Sequence, residues 1–116
     1  MVDDQLVFRD VAREVIEATA DFELVGEADC GECGLDKAAE LHPDLVLLDV
    51  RMPGMDGVEV AERMRAASPS SVVVLISVDD ARNLPGGVGA CGAADLVRKQ
   101  DFGPALLRRV WLAHGR

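Results

Sequence analysis

The sequence predicts an α/β fold, a parallel sheet with helices on both faces, and three observations carry that prediction. Leu45-Val46-Leu47-Leu48 is an unbroken apolar run closed downstream by Pro53-Gly54, and such a run marks a strand buried on both faces, because one-sided strands alternate. Ser71-Val72-Val73-Val74-Leu75-Ile76-Ser77 is β-branched and almost wholly apolar, which marks a second central parallel strand. Between and around these runs, helical patterns alternate with strand patterns along the 116 residues, as right-handed strand-helix-strand crossovers require. That pattern uses nearly the whole length, so residues 1–116 are expected to form one domain.

Taken in order, the chain opens on Met1-Val2-Asp3-Asp4. Phe8, Val11, Ala12, Val15 and Ile16 then recur at helical spacing, with Arg9, Asp10, Arg13, Glu14 and Glu17 on the other side. Phe22-Glu23-Leu24-Val25-Gly26-Glu27-Ala28 reads as a short strand, and 31–41 as a second helix, weakened by Gly34 and stopped by Pro43. Asp49 ends the first apolar run. Asp56-Gly57 leads into a third helix with Val58, Ala61 and Met64 on one face, ended by Ser68-Pro69-Ser70. Ala94-Asp95-Leu96-Val97 is a shorter strand that delivers Arg98-Lys99. The last helix takes Pro104 in its first turn, where the missing N–H is harmless, and packs Leu107, Val110 and Trp111.

Charge narrows the function classes. A formal net charge of −9 argues against direct binding to nucleic acid or an anionic membrane and favours metal cations or basic partner surfaces. Nothing reads as a signal peptide or a membrane-crossing run, and three cysteines fit a reducing compartment, so a cytoplasmic protein is expected.

In a parallel sheet, Asp3, Asp4, Asp49, Ser77 and Lys99 all fall at the carboxyl ends of strands, where open α/β sheets bind ligands. Clustered carboxylates repel one another, so they share protons or hold a cation, and an all-oxygen set suits Mg²⁺. A carboxylate beside Mg²⁺ can attack a phosphoryl donor to give an acyl phosphate, with Lys99 as a second positive charge and Ser77 as a hydrogen-bond donor to the phosphoryl oxygen. The structural alternative for Asp3 and Asp4 is a helix-dipole contact at the start of the first helix.

Asp3-Asp4, the segment Leu47-Leu48-Asp49-Val50-Arg51-Met52-Pro53-Gly54-Met55-Asp56-Gly57, Ser77 and Lys99 together resemble the signature of the receiver domain of bacterial two-component response regulators. The resemblance covers essentially the whole chain. It implies a flavodoxin-like α/β/α fold with a five-stranded parallel sheet, and a non-enzymatic signalling domain that takes a phosphoryl group from a sensor histidine kinase. It implies Asp49 as phosphoacceptor, and Asp4, Asp49 and the backbone carbonyl of Arg51 as Mg²⁺ ligands with Asp3 acting through water. Ser77 is then the switch hydroxyl and Lys99 the phosphate-pairing lysine. The 22–28 segment and Lys99-Gln100-Asp101 are similar to the subfamily with a C-terminal helix-turn-helix domain, which implies transcriptional output through DNA contacts outside this chain, and a homodimer as one signalling form.

The sequence departs from that pattern in four places. Met1-Val2 is only a stub where a first strand of about five residues is expected, so the strands on either side should stand roughly 10 Å apart without a ladder. Between Asp79 and Ala93, Pro85, Gly86, Gly87 and Gly89 should leave the fourth helix short or irregular. Leu96 stands where many relatives have an aromatic ring, and Val78 is bulkier than the small residue often found after the switch hydroxyl. Two rival readings remain: a degenerate receiver that serves as a docking or dimerisation module, and a thiol redox module built on Cys30-Gly31-Glu32-Cys33 at a helix start.

Overall fold

The computed structural model describes residues 1–50, 57–77 and 93–115. β1 (Leu45–Asp49) and β2 (Val72–Ser77) are the two apolar runs, and they pair in parallel with Leu45 opposite Val72 and Asp49 opposite Ile76. β3 (Asp95–Arg98) adds to the far edge of β2, with Val74 opposite Asp95 and Ser77 opposite Arg98. Strand alternation divides the core into two layers. Val46, Leu48, Val73 and Leu75 face α2 (Gly31–Leu41) and α3 (Gly57–Ala67) through Ala38, Val60 and Met64. Leu47, Val74, Ile76 and Val97 face α1 (Leu6–Ala18) and α4 (Pro104–His114) through Ile16, Leu107 and Val110. Leu48, Leu75 and Ile76 are completely buried, each contributing about 1.5–3 kcal/mol of apolar transfer.

The helices follow their signals with local differences. α1 buries Ala12 and Ile16, whereas Val11, expected on the inner face, is 48% exposed beside the exposed Leu6 and Val7. Only a narrow stripe of this helix therefore meets the sheet. α2 ends where His42 adopts the left-handed conformation, φ 48°, just ahead of Pro43. Gly34 has a packing reason to be glycine: a Cβ there would lie 2.7 Å from Val2 Cγ2, so α2 can approach the sheet only without a side chain at this position.

The predicted strand over Phe22–Ala28 is corrected. Among the described residues only Ala28 makes a strand-type pairing, a single bridge to Val2, and Val2 makes a second bridge to Leu48. A strand exists only where a neighbour pairs with it, and Met1-Val2 offers a neighbour at one position. Side chains fasten the segment instead: Arg13 donates to both oxygens of Glu27 at 2.7–3.1 Å, and Phe22 and Leu24 pack on the α1/α4 side of the core. The sheet thus has five strand positions in the order 22–28, Val2, β1, β2, β3, with the first two reduced to single bridges. No ladder joins the 22–28 segment directly to β1 among the described residues, as the stub predicts. The expected irregular helix between Asp79 and Ala93, together with Val78, Arg51 and the Pro53-Gly54 turn, lies outside the described residues apart from Ala93, which is buried.

Candidate functional site

Asp3, Asp49, Ser77 and Lys99 meet at the carboxyl edge of the sheet because each ends or follows a strand position in it. Val2 bridges Leu48, so Asp3 stands beside Asp49; Asp49 is in register with Ile76, which places Ser77 one residue further along β2. β3 ends at Arg98, and a single 3₁₀ turn over Lys99–Asp101 turns the chain there. Asp3, Asp49 and Ser77 are buried, with Asp3 wholly inaccessible, while Asp4 is exposed. The cluster therefore has a closed side and an open side, and Asp4 stands on the open one.

Lys99 organises the buried charges. Its Nζ lies 2.9 Å from Asp3 Oδ2 and 3.4 Å from Asp49 Oδ2. It also donates to Gln5 Oε1 at 3.0 Å and sits 4.7 Å from the centre of the Phe8 ring. Carboxylate oxygens of Asp3, Asp4 and Asp49 lie within 4.8 Å of one another. At an effective dielectric constant of about 20, two such charges repel by roughly 3–4 kcal/mol, which one ammonium only partly offsets. Asp3 Oδ1 accepts from the Gln5 backbone N–H at 2.8 Å, but Asp3 Oδ2 is buried and makes no hydrogen bond, standing at ion-pair distance from Lys99 without hydrogen-bond geometry. A buried carboxylate oxygen in that condition, in an all-oxygen set open to water on one side, fits a hard divalent cation such as Mg²⁺.

Three contributors carry no distinct signal in the sequence. Gln5 and Phe8 contact the Lys99 ammonium, and Arg9 Nη1 donates to the Asp3 backbone oxygen at 2.6 Å. All lie on one face of the first turns of the chain's first helical stretch, at spacings of three and four from Gln5, so their adjacency to the acidic pair is the one available clue. Arg51, expected to lend a backbone carbonyl, lies outside the described residues.

Cys30 and Cys33 form a disulfide with Cα atoms 5.2 Å apart. This differs from the free thiols that composition suggests. The reason is local: Cys30 is the N-cap of α2 and Cys33 closes its first turn, so the two fall at a bridgeable separation, and Cys30 Sγ also accepts from the Cys33 N–H. The pair sits at the amino end of α2, where its acidic neighbour is Asp29 and not a member of the Asp3, Asp4 and Asp49 cluster.

Comparison with known proteins accords with this geometry. The family model described as the response regulator receiver domain matches residues 1–110. The nitrate/nitrite response regulator protein NarL of Escherichia coli K12 is 40% identical over 80 residues, covering 69% of this chain and 37% of that protein. The response regulator GacA of Pseudomonas aeruginosa is 35% identical over 99 residues, covering 85% of this chain and 46% of that protein. A protein-glutamate methylesterase/protein-glutamine glutaminase of a Nocardioides strain is 37% identical over 101 residues, covering 85% and 28%. The chain thus spans less than half the length of these relatives. Among solved structures, the signal receiver domain of NarL from Mycobacterium tuberculosis superposes with a TM-score of 0.79 at 34% identity, covering 94% of this chain and 91% of that one. A LuxR-family two-component response regulator from an Aurantimonas strain gives a TM-score of 0.85 at 25% identity, covering 97% and 79%. Fold, matched length and relatives agree: the chain belongs to the response regulator receiver domain family, with the flavodoxin-like fold of that family.

Proposed function

We propose that this chain is a single receiver domain, residues 1–116, that accepts a phosphoryl group from a sensor histidine kinase on Asp49. The observation that carries the reading is Lys99 Nζ standing between the buried carboxylates of Asp3 and Asp49, with Asp3 Oδ2 left without a hydrogen bond. That arrangement is strained by charge as it stands, and a cation and a phosphoryl group would complete it. An Asp49 carboxylate oxygen forms the new bond to phosphorus while the bond from phosphorus to the donor imidazole breaks, the electron pair leaving with the imidazole nitrogen. Lys99 pairs with the transferred oxygens, and the Ser77 hydroxyl donates to one of them, which moves the end of β2. Asp4, Asp49 and the backbone carbonyl of Arg51 would hold Mg²⁺ directly and Asp3 through water. Bound there, the ion neutralises charge on the transferring group.

The output belongs to whatever the domain is joined to. Similarity to a LuxR-family regulator described as DNA-binding supports transcriptional control through a DNA-binding domain outside this chain, with a homodimer as one signalling form, while similarity to the methylesterase/glutaminase supports a second kind of output. A cytoplasmic setting follows from that role. Among the described residues no helix is long and apolar enough to cross a membrane. The test is incubation with Mg²⁺ and acetyl phosphate, followed by intact mass measurement: one phosphoryl group is expected, abolished by EDTA. A chain that stays unphosphorylated under these conditions would make the docking-module reading the better one.

A further inference from the structure

Cys30-Gly31-Glu32-Cys33 is a chemical motif that phosphoryl transfer leaves unused. The two cysteines are joined, and neither residue is buried, so an attacking thiol can reach the bond. Cys30 is the N-cap of α2, a helix of 11 residues, and its Sγ accepts from the Cys33 backbone N–H at 3.0 Å. A sulfur in that place leaves readily as a thiolate, because the N–H and the positive end of the helix stabilise the charge it takes on. Exchange is fastest when the sulfur that leaves is the better stabilised of the two, which directs attack to Cys33 and makes Cys30 the leaving group. Asp29 brings a carboxylate oxygen within 4.8 Å of both sulfurs, and the exposed Glu32 adds a second negative charge in the first turn of α2. A thiolate whose carrier bears further negative groups is disfavoured there against one on a neutral or basic carrier.

We propose that the Cys30–Cys33 bond is a thiol–disulfide exchange site whose substrate is a dithiol on a neutral or basic carrier, and that its oxidation state is passed to Asp3. One substrate thiol, as its thiolate, bonds to Cys33 Sγ while the bond between the two cysteines breaks, the electron pair leaving on Cys30 Sγ. The second substrate thiolate then bonds to the first substrate sulfur, closing the substrate's own disulfide and expelling Cys33 as a thiolate. The two protons given up by the substrate end on Cys30 and Cys33, so the substrate loses two electrons and the cysteine pair gains them. Two contacts link this turn to Asp3. The carbonyl of Ala28, two residues ahead of Cys30, accepts from the Asp3 N–H at 3.0 Å. Gly34, the residue after Cys33, packs so closely on Val2 that a Cβ there would lie 2.7 Å from Val2 Cγ2. The disulfide closes the chain between these two contacts, and opening it relaxes both holds on Val2-Asp3. Asp3 shares the Lys99 ammonium with Asp49, so a signalling role for the exchange rests on the reading of that cluster as the phosphoacceptor site.

The test treats the oxidised full chain, without denaturant, with dithiothreitol or with glutathione, a thiol of net negative charge. Acid quenching, alkylation and peptide mapping follow each cysteine separately. The glutathione adduct should be trapped on Cys33, and Asp29→Asn should speed the reaction with glutathione by about threefold while changing that with dithiothreitol less. Residue-resolved amide hydrogen exchange then compares the oxidised and reduced proteins. Reduction should quicken exchange at Asp3 by about tenfold more than at Val74, which lies at the centre of the sheet and registers the overall loss of stability. The double variant Cys30→Ser, Cys33→Ser should show the same fast exchange at Asp3 with no reductant present. An adduct trapped on Cys30, a bond that opens only after denaturation, or exchange at Asp3 that moves no more than at Val74 in both the reduced protein and the double variant would overturn the proposal. None of these readouts uses Mg²⁺ or a phosphoryl donor, so the exchange site stands or falls apart from the phosphoacceptor reading.

Discussion

Replacing Lys99 with methionine removes the ammonium while keeping most of the aliphatic stem. In the native protein that ammonium is paired with Asp3 at 2.9 Å and Asp49 at 3.4 Å, and the lysine side chain and the two carboxylates are 10%, 0% and 7% exposed. Removing one partner of a buried ion pair leaves an uncompensated charge and costs about 3–5 kcal/mol, to which loss of the contact with the Phe8 ring adds about 0.5–1 kcal/mol. Against a total stability of about 5–15 kcal/mol, this is a large fraction. With a urea dependence of about 2 kcal/mol per molar, the unfolding midpoint should fall by roughly 2 M. Because the deficit is one of positive charge, millimolar Mg²⁺ should restore more stability to K99M than it adds to the native protein. Urea titrations of both proteins, with and without Mg²⁺, read all four quantities. A loss below about 1 kcal/mol, the scale of a solvent-exposed pair, would refute the picture of Lys99 as the ion that holds two buried carboxylates together.

Three other predictions rest on separate features. Gly34→Ala should destabilise the protein by about 1–3 kcal/mol despite its better helix propensity, because the added Cβ meets the stiff Val2 side chain; chemical denaturation checks it, and a gain in stability would remove the close-packing argument. The Met1 amine has a folded-state pKa near 6 against 8.0 when unfolded, so the unfolded chain binds more protons between those values. Stability should therefore rise with pH from about 6 to 8, by at most about 3 kcal/mol, and N-terminal acetylation should flatten that part of the profile. Thiol titration of the unfolded, unreduced protein should find one reactive cysteine of the three, and reduction should raise the count to three.

Much of this molecule is legible in the sequence because its central strands are unambiguous. The runs ending at Asp49 and Ser77 cannot be one-sided strands or surface helices, and once they are parallel Asp3, Asp4 and Lys99 fall with them on one edge of the sheet. The Phe22–Ala28 segment misleads for a reason that pattern alone cannot reveal: its side chains suit a strand, but strand character depends on a neighbour, and Met1-Val2 supplies one bridge rather than a ladder. Gly34 reads as a weakness in α2 and is in fact what allows α2 to approach Val2. Gln5, Phe8 and Arg9 do not stand out because polar and aromatic residues at a helix start have many uses, and only the turn of Lys99 towards Asp3 gives them a common one. The pairing of Cys30 with Cys33 depends on a detail of helix capping that spacing permits without requiring.

If Asp49 is the carboxylate on which phosphoryl transfer ends, the acyl phosphate can be located on it chemically. Protein treated with acetyl phosphate and Mg²⁺, reduced with borohydride and mapped by peptide mass spectrometry, should carry the modification on Asp49 alone, and Asp49→Asn should carry none. Modification centred on Asp3 or Asp4, or an unchanged yield in Asp49→Asn, would rule out Asp49 as the phosphoacceptor.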